Sequence, residues 1–143
     1  MEVKIKRLDK SLPLPEYQTS GSAGFDLYAR KTTKILPKEI KLVPGNFVIK
    51  TPPGYMLAVV NRSSTPKRKG LMLPNGVGVI DSDYCGPDDE LGILMYNFKD
   101  EEVIVEKGER IAQAIFIKVE QAGWEEIDEM ENKNRGGFGS TGK

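Results

Sequence analysis

Residues 75–86 read NGVGVIDSDYCG. Small and branched apolar residues lie between an Asn-Gly and a Gly-Pro turn signal, which predicts a β-hairpin. Two carboxylates, Asp81 and Asp83, lie at its tip, and the ring of Tyr84 follows directly. Such a hairpin holds backbone N–H and C=O groups open to a flat ligand. We therefore predict that it recognises a base and that Asp81 takes part in a hydrolysis beside it.

The pattern of the remaining residues predicts an all-β fold. Nine prolines fall within the first 87 residues, which leaves little room there for a long helix. Period-two alternation indicates half-buried strands, and continuous apolar runs indicate strands buried on both faces. The alternating positions are Val3 and Ile5; Phe25, Leu27 and Ala29; Ile40 and Leu42; and Val103 and Val105. The continuous runs are residues 55–60, 91–98 and 111–117.

One domain accounts for most of the chain. At 143 residues, the protein is able to bury about 70% of its unfolded surface in a single core. We expect a small jelly-roll-like β-sandwich or distorted barrel over residues 1–131, with short helices at 66–71 and 124–130. Residues 132–143 contain four glycines and little apolar surface, and we expect this segment to form a lid that orders over a ligand.

Composition excludes several classes of function. The 21 basic and 21 acidic residues cancel, so the chain has no overall field suited to nucleic acid or a membrane surface. Because it has no histidine, a hydrolytic base must be a carboxylate or a metal-bound water. The single cysteine, Cys85, cannot form an internal disulfide. The first residues do not resemble a signal peptide, and no apolar run approaches the ~20 residues of a membrane span, so we expect a cytoplasmic protein.

Five segments of the chain resemble, in order, the five motifs of the trimeric deoxyuridine triphosphatases. They are SAGFDLYA at 22–29, NRSS at 61–64, the segment at 75–86, KGERIAQ at 107–113 and RGGFGSTG at 135–142. One such motif alone is weak, but five in the family's order identify the family. The resemblance implies a jelly-roll fold and a homotrimer whose active sites are shared between subunits. It also implies hydrolysis of dUTP to dUMP and pyrophosphate with Mg²⁺.

The resemblance assigns the chemistry to four side chains. Asp81 matches the general base that activates a water for attack on the α-phosphorus, a task that depends mainly on positioning. Ser63 is expected near the bridging oxygen that gains charge, and Gln113 is expected to orient the water. Asp26 is expected to hydrogen-bond water around Mg²⁺, which tends to retain its waters. Taken alone, Asp81 is also typical of a turn carboxylate that caps N–H groups.

The other matched residues are assigned to substrate binding. Tyr84 resembles the tyrosine that packs under the deoxyribose and rejects a 2′-hydroxyl; taken alone, it is also typical of a core tyrosine. The backbone around Asn75 and Gly78 is expected to recognise uracil, because a rigid hairpin would leave polar groups unpaired against cytosine. Arginine suits phosphate better than lysine does, although Arg110 is equally expected to brace a neighbouring motif. The phosphate contacts are expected from Arg62, Ser64, Arg110 and Arg135, and the lid contacts from Phe138, Gly139, Ser140 and Thr141.

Three features depart from the family pattern. Cys85 stands where many members have an arginine. Residues 87–90, PDDE, resemble a short insertion, for which a solvated acidic loop is a better interpretation than a metal site. Arg135 lies closer to Phe138 than in many members, so Lys133 is an alternative contact for the terminal phosphates.

Two other functions fit the same fold. A dCTP deaminase would carry a catalytic glutamate on a strand, but the comparable run, residues 91–98, contains no carboxylate. A nucleotide-gated regulatory protein would bind the same ligand and act on a protein partner through residues 87–90. The presence of Asp81, Asp26 and Gln113 favours catalysis over a purely regulatory role. A structural jelly-roll subunit would leave the five polar segments without a role.

Overall fold

Short antiparallel strands form nearly all the regular structure in the computed structural model of the chain, which describes residues 1–137. The strands are β1 (Ile5–Arg7), β2 (Phe25–Tyr28), β3 (Thr33–Ile35), β4 (Ile40–Pro44), β5 (Phe47–Ile49), β6 (Tyr55–Asn61), β7 (Leu71–Met72), β8 (Gly78–Ile80), β9 (Gly92–Asn97), β10 (Val103–Val105) and β11 (Arg110–Lys118). One short helix, α1 (Thr65–Lys69), lies among them. The prediction of an all-β fold is confirmed. In this described part, no helix is long and apolar enough to cross a membrane.

Two sheets carry the framework. The larger has the order β2-β11-β6-β8 and the second has the order β4-β9-β7, while β1-β5 and β10-β3 form two-stranded ribbons. β11 is the longest strand and pairs with β2 on one side and with β6 on the other. Segments that are far apart in sequence therefore lie side by side along β11.

The hydrophobic core lies between these sheets and ribbons. The three residues of β5, Phe47 to Ile49, are all buried, whereas β9 buries alternate residues. Asn97 is the polar member of the buried side of β9, and its amide donates to the carbonyls of Ile35, Leu36 and Glu101 at 2.8–3.1 Å. The apolar runs predicted as strands thus became β6, β9 and β11. Burial on both faces is found in the central parts of β6 and β11, but it is wrong for β9, which buries one face only.

The predicted hairpin at residues 75–86 is wrong. Only Gly78–Ile80 forms a strand there, and it pairs with β6, whereas β7 just before it pairs with β9 in the other sheet. The Asn-Gly turn signal is real: Gly76 has a φ of +70° and donates its N–H to the carbonyl of Leu73. This turn carries the chain from one sheet to the other, where β8 pairs with the edge of β6.

The predicted inward orientation of Ile40 and Leu42 is also wrong. The alternation is present, but these two side chains are 54% and 59% exposed, and Val43 is the one that faces the core. Cross-strand partners share a face of the sheet, so the exposed side also presents the partners of Ile40 and Leu42. We call this surface the outer sheet patch; it consists of Ile40, Leu42, Met72, Leu94 and Tyr96.

The two helix predictions had different outcomes. The segment predicted at 66–71 contains most of α1, but residues 124–130 form no helix, and Trp124 is 96% exposed. The apolar side chains of that segment find no surface of the described chain to pack against, and so short a helix is not stable without such packing. The last strand ends at Lys118, so the domain boundary at residue 131 stays a prediction.

Candidate active site

The centre of the larger sheet brings three of the polar segments together. Gln113 of β11 lies opposite Asp26 of β2 on one side and opposite Val60 of β6 on the other. Its amide nitrogen donates to the carbonyl of Asn61 at 2.9 Å, which joins it to the start of the NRSS segment. The pairing register therefore explains how residues 22–29, 61–64 and 107–113 meet.

Asp26 holds two arginines from distant parts of the chain, Arg62 just after β6 and Arg110 at the start of β11. Arg62 donates through Nε to one carboxylate oxygen at 2.7 Å, and Arg110 donates to the other at 3.1 Å. The side chain of Asp26 is 10% exposed, so these charge-assisted bonds lie in partly desolvated surroundings. Two guanidinium groups share one carboxylate, which leaves a net positive charge here for an anion.

The helix that follows NRSS is fastened to the same strand. The hydroxyl of Thr65 donates to the carbonyl of Ile111 at 3.1 Å in a buried position. Pro66 at the first turn suits a helix start, and Gly70, with a φ of +70°, ends the helix. Ser64 is the N-cap residue, but its side chain makes no capping bond, so the hydroxyl of Ser64 is left for the neighbouring cavity that this residue lines.

A cavity of about 220 Å³ lies beside this helix. Its lining carries four cationic side chains and one carboxylate; the lining residues are Arg62, Ser64, Thr65, Arg68, Lys69, Glu109 and Arg110. Lys69 is paired with Glu109 at 2.9 Å, whereas within residues 1–137 the guanidinium of Arg68 makes no ion pair or hydrogen bond. Sequence reasoning missed Arg68 and Lys69, for which the basic run directly after NRSS was the available signal.

The predicted base lies elsewhere in the same chain. In the register of β6 with β8, Ile80 is opposite Leu57, which places Asp81 beside Met56. The NRSS segment begins at Asn61, at the opposite end of β6. The strand from Met56 to Asn61 alone spans about 17 Å, at about 3.3 Å per residue. One chain therefore does not bring Asp81 to the arginine cluster.

Asp81 and Tyr84 belong to one turn. The N–H of Tyr84 donates to the carbonyl of Asp81 at 3.3 Å, and its hydroxyl donates to the carbonyl of Glu90 at 3.3 Å. Tyr84 is 41% exposed, and Asp81 lines a second cavity, of about 600 Å³, together with Tyr55 and other residues. This exposure does not fit a core tyrosine, and both side chains are open to a ligand.

Asn75 and Gly78 lie between the arginine cluster and the turn that carries Asp81, on the exposed edge of the larger sheet. Gly78 packs closely on β6: a Cβ atom at this position would lie 3.2 Å from Cβ of Val59. A larger residue would push β8 away from β6. Gly78 therefore keeps the backbone of β8 close to β6 at this edge of the sheet.

Comparison with known proteins shows which family the chain belongs to. The family model for dUTPase matches residues 10–142. The chain belongs to the dUTPase family. The deoxyuridine 5′-triphosphate nucleotidohydrolase of Lactococcus lactis is 44% identical over 144 residues, which cover 99% of this chain and 95% of that protein. The resemblance seen in the five motifs is confirmed.

Solved dUTPase structures share the fold. The crystal structure of the dUTPase from Streptococcus mutans is 33% identical, with a TM-score of 0.77, and covers 84% of this chain and 98% of its own. A mutant dUTPase from phage phi11 of S. aureus is 19% identical, with a TM-score of 0.81 over 92% of this chain and 100% of its own. That mutant is described as coordinating a structural Mg(II) ion. The predicted jelly-roll dUTPase fold is confirmed.

The loop at residues 87–90 differs from the prediction. A solvated acidic loop is wrong for Glu90, whose side chain is 16% exposed and pairs with Arg30. Burial by itself would raise the pKa of Glu90, but the hydrogen bonds from Arg30 and from the N–H of Asn46 outweigh it, so the pKa is lowered. Asp89 accepts the N–H of Gly86 at 2.6 Å. In this loop of the dUTPase chain, Glu90 is thus fastened to Arg30 and Asn46, and Asp89 closes the turn on Gly86.

Asp26 fits an outer position around Mg²⁺, and not a direct one. Both carboxylate oxygens already accept bonds from arginines, yet each has a second lone pair to which a metal-bound water is able to donate. Within residues 1–137, no three Asp, Glu or Cys side chains converge on a metal site of their own. The carboxylate of Asp26 therefore suits a Mg²⁺ ion that is bound to the phosphates and keeps its own waters, one of which would donate to Asp26.

The predicted lid contacts lie at the end of the chain. Phe138, Gly139, Ser140 and Thr141 are outside the described residues, so their roles stay predictions. Arg135 and Lys133 are both exposed. Which of them contacts the terminal phosphates also stays a prediction.

Proposed function

We propose that this protein hydrolyses dUTP to dUMP and pyrophosphate at a site shared between copies of the chain. The observation that carries the proposal is the meeting of Asp26, Arg62, Arg110 and Gln113 beside a cationic cavity in a dUTPase fold. The reaction would lower the dUTP available for DNA synthesis and supply dUMP. We place it in the cytoplasm.

The arginine cluster is suited to the phosphate chain. Arg62 and Arg110 keep planar N–H groups directed by Asp26, so the cluster is preorganised and does not have to collect its charges when substrate arrives. Ser63, exposed at the turn between β6 and α1, is assigned to the bridging oxygen that gains charge as pyrophosphate leaves. Mg²⁺, when bound to the phosphates, neutralises part of their charge, and Asp26 would hold its water.

The base and the sugar contact belong to the 75–86 segment. Asp81 would take a proton from the attacking water, which Gln113 orients, while Tyr84 packs under the deoxyribose. Asn75 and Gly78 would bind uracil along the edge of β8. A carboxylate is sufficient because in-line attack on phosphorus depends mainly on position and charge stabilisation.

The separation of Asp81 from NRSS supports a shared site. Because about 17 Å of β6 lies between them, one nucleotide contacts both groups only when they come from different copies. Exposed apolar surface is available for the contact: the outer sheet patch, and also Trp124, Ile127 and Met130 in the last part of the described chain. We propose the homotrimer of the family, with residues 132–143 as a lid that completes a neighbour's site.

Mixing two inactive variants tests the shared site. Asp81→Asn and Ser63→Ala chains, co-expressed with different tags and purified through both, should regain activity that neither has alone. In a trimer that carries both tags, one of the three sites combines an intact Asp81 with an intact Ser63, so about a third of the native activity is expected. No regain in mixed assemblies would place both groups in one chain. Light scattering should give about three times the 15.9 kDa chain mass.

Substrate selectivity tests the reaction. Pyrophosphate release is measured from dUTP, dCTP, dTTP and UTP with Mg²⁺, for the native chain and for Asp81→Asn. Selective hydrolysis of dUTP, lost in the variant with dUTP binding retained, is the expected result. Ammonia release from dCTP would favour the deaminase, and tight dUTP binding without turnover would favour a regulatory protein with a protein partner.

A further inference from the structure

A partly buried ion pair anchors the loop at residues 87–90 to the sheet. Arg30, just after β2, donates Nε and a terminal nitrogen to the two carboxylate oxygens of Glu90, at 2.7 and 2.6 Å. The two side chains are only 21% and 16% exposed. Such a planar, two-bond contact restrains both direction and distance.

A buried asparagine completes the anchor. The N–H of Asn46 donates to Glu90 at 2.9 Å, and the Asn46 side chain exchanges hydrogen bonds with the backbone of Asp9 at 2.7 and 3.2 Å. Asn46 is fully buried and has a φ of +73°, a conformation that non-glycine residues rarely adopt. Glu90 is therefore held by three donated hydrogen bonds from two parts of the chain.

The anchor reaches Tyr84 through the backbone. The carbonyl of Glu90 accepts the hydroxyl of Tyr84 at 3.3 Å, and this is the one hydrogen bond of that hydroxyl within residues 1–137. The backbone N–H of Tyr84 donates to the carbonyl of Asp81. A shift of residue 90 would thus shift the ring first and the Asp81 turn with it.

We propose that Arg30 and Glu90 are positioning residues that hold the Tyr84 ring for discrimination between deoxyribose and ribose. The proposal rests on the proposed function, in which Tyr84 packs under the sugar. Excluding one hydroxyl group requires a ring that does not yield, so the groups behind it have to be rigid. A buried ion pair adds little net stability compared with its effect on geometry. The result is a distant pair, 60 residues apart in sequence, that controls substrate selectivity.

The test compares dUTP with UTP. Glu90→Gln keeps the shape of the side chain but removes its charge, and Arg30→Lys removes the two-bond fork. Each should lower the ratio of kcat/KM for dUTP over UTP about tenfold, mainly through faster use of UTP. The matched control is Glu102→Gln, which breaks the exposed Lys34–Glu102 pair and should leave the ratio unchanged.

A second variant separates positioning from stability. Tyr84→Phe removes only the hydroxyl that bonds to residue 90, and it should lower the ratio by a similar factor. Combined with Glu90→Gln it should lower the ratio little further, because both changes break the same connection. Thermal unfolding is recorded for every variant. A lower melting temperature with an unchanged ratio in Glu90→Gln, or an unchanged ratio in Tyr84→Phe, would overturn the proposal.

Binding of the product nucleotides keeps this test distinct from the reaction. The affinities of dUMP and UMP are measured by calorimetry for the native chain and for Glu90→Gln. A native chain that prefers dUMP, and a variant that loses the preference, would support the proposal even if the native chain hydrolysed neither triphosphate. A preference that is equal in both chains would contradict it, whatever the outcome for hydrolysis.

Discussion

Replacing Arg68 with glutamine should weaken binding of the triphosphate while leaving the fold intact. Arg68 lies on the exposed side of α1 and lines the cationic cavity with Arg62 and Arg110. Those two arginines are held by Asp26, whereas the guanidinium of Arg68 makes no ion pair or hydrogen bond within residues 1–137. Its charge is therefore available to a phosphate, and its removal breaks no polar side-chain contact of the described chain.

The size of the effect follows from this exposure. A hydrogen bond to a charged group contributes about 1.5–3 kcal/mol, and screening at an exposed position reduces this to about 1–2 kcal/mol. That range corresponds to a rise of about 5–30-fold in KM for dUTP. Because Arg68 lies with the side chains proposed to bind the phosphates and is not among those assigned to the chemistry, kcat should change less than KM.

The assay is steady-state pyrophosphate release, with inhibition by added pyrophosphate as a second measure of the same pocket. Lys67→Gln is the matched control, because Lys67 is exposed on the same helix and does not line the cavity. It should change KM less than about twofold at about 0.15 M salt. Equal effects of the two variants would mean that only overall charge matters, and an unchanged KM in Arg68→Gln would remove Arg68 from the site.

Three further outcomes are expected. Asp26→Asn should lower the unfolding free energy by about 2–3 kcal/mol in denaturant titrations, less than for a fully buried pair, because its two arginines are partly exposed. Because the folded-state pKa of Glu90 is below its ordinary value of 4.5, its pairing with Arg30 should stabilise the protein fully above about pH 4.5. The stability difference between the native chain and Glu90→Gln should therefore shrink as the pH falls further; a constant difference from about pH 7 to about pH 3 would refute this. Gly45→Ala should lower the melting temperature, since its Cβ would lie 2.7 Å from the carbonyl oxygen of Leu91, whereas Gly123→Ala, with open space, should not.

Local pattern was sufficient for much of the fold. The continuous runs at 55–60, 91–98 and 111–117 have enough apolar residues to predict strands without knowledge of their partners, although the strand within 91–98 buries only alternate residues. The alternation around Asp26 likewise placed its neighbours Phe25 and Leu27 in the core. These features depend on residues within one strand, so they are readable without tertiary contacts.

The errors concern contacts between distant residues. The strand at 78–80 pairs with β6 and not with its sequence neighbour, and Ile40 and Leu42 face outward. Period-two alternation has two equivalent faces, and only the packing of whole sheets decides which face is inside. Glu90 was assigned to solvent because its partner Arg30 lies 60 residues earlier, where no local pattern connects them.

By itself, the sequence determined the family, the all-β class and the chemical types of the site residues, because motifs and strand periodicity are written in short segments. The tertiary structure decided which of those residues meet. It joined Asp26, Arg62, Arg110 and Gln113 through the register of β11. It also placed Asp81 at the opposite end of β6 from them, and the part of β6 between the two is about 17 Å long. Strand register is a property of pairs of distant segments, and it is set by the burial of both faces together.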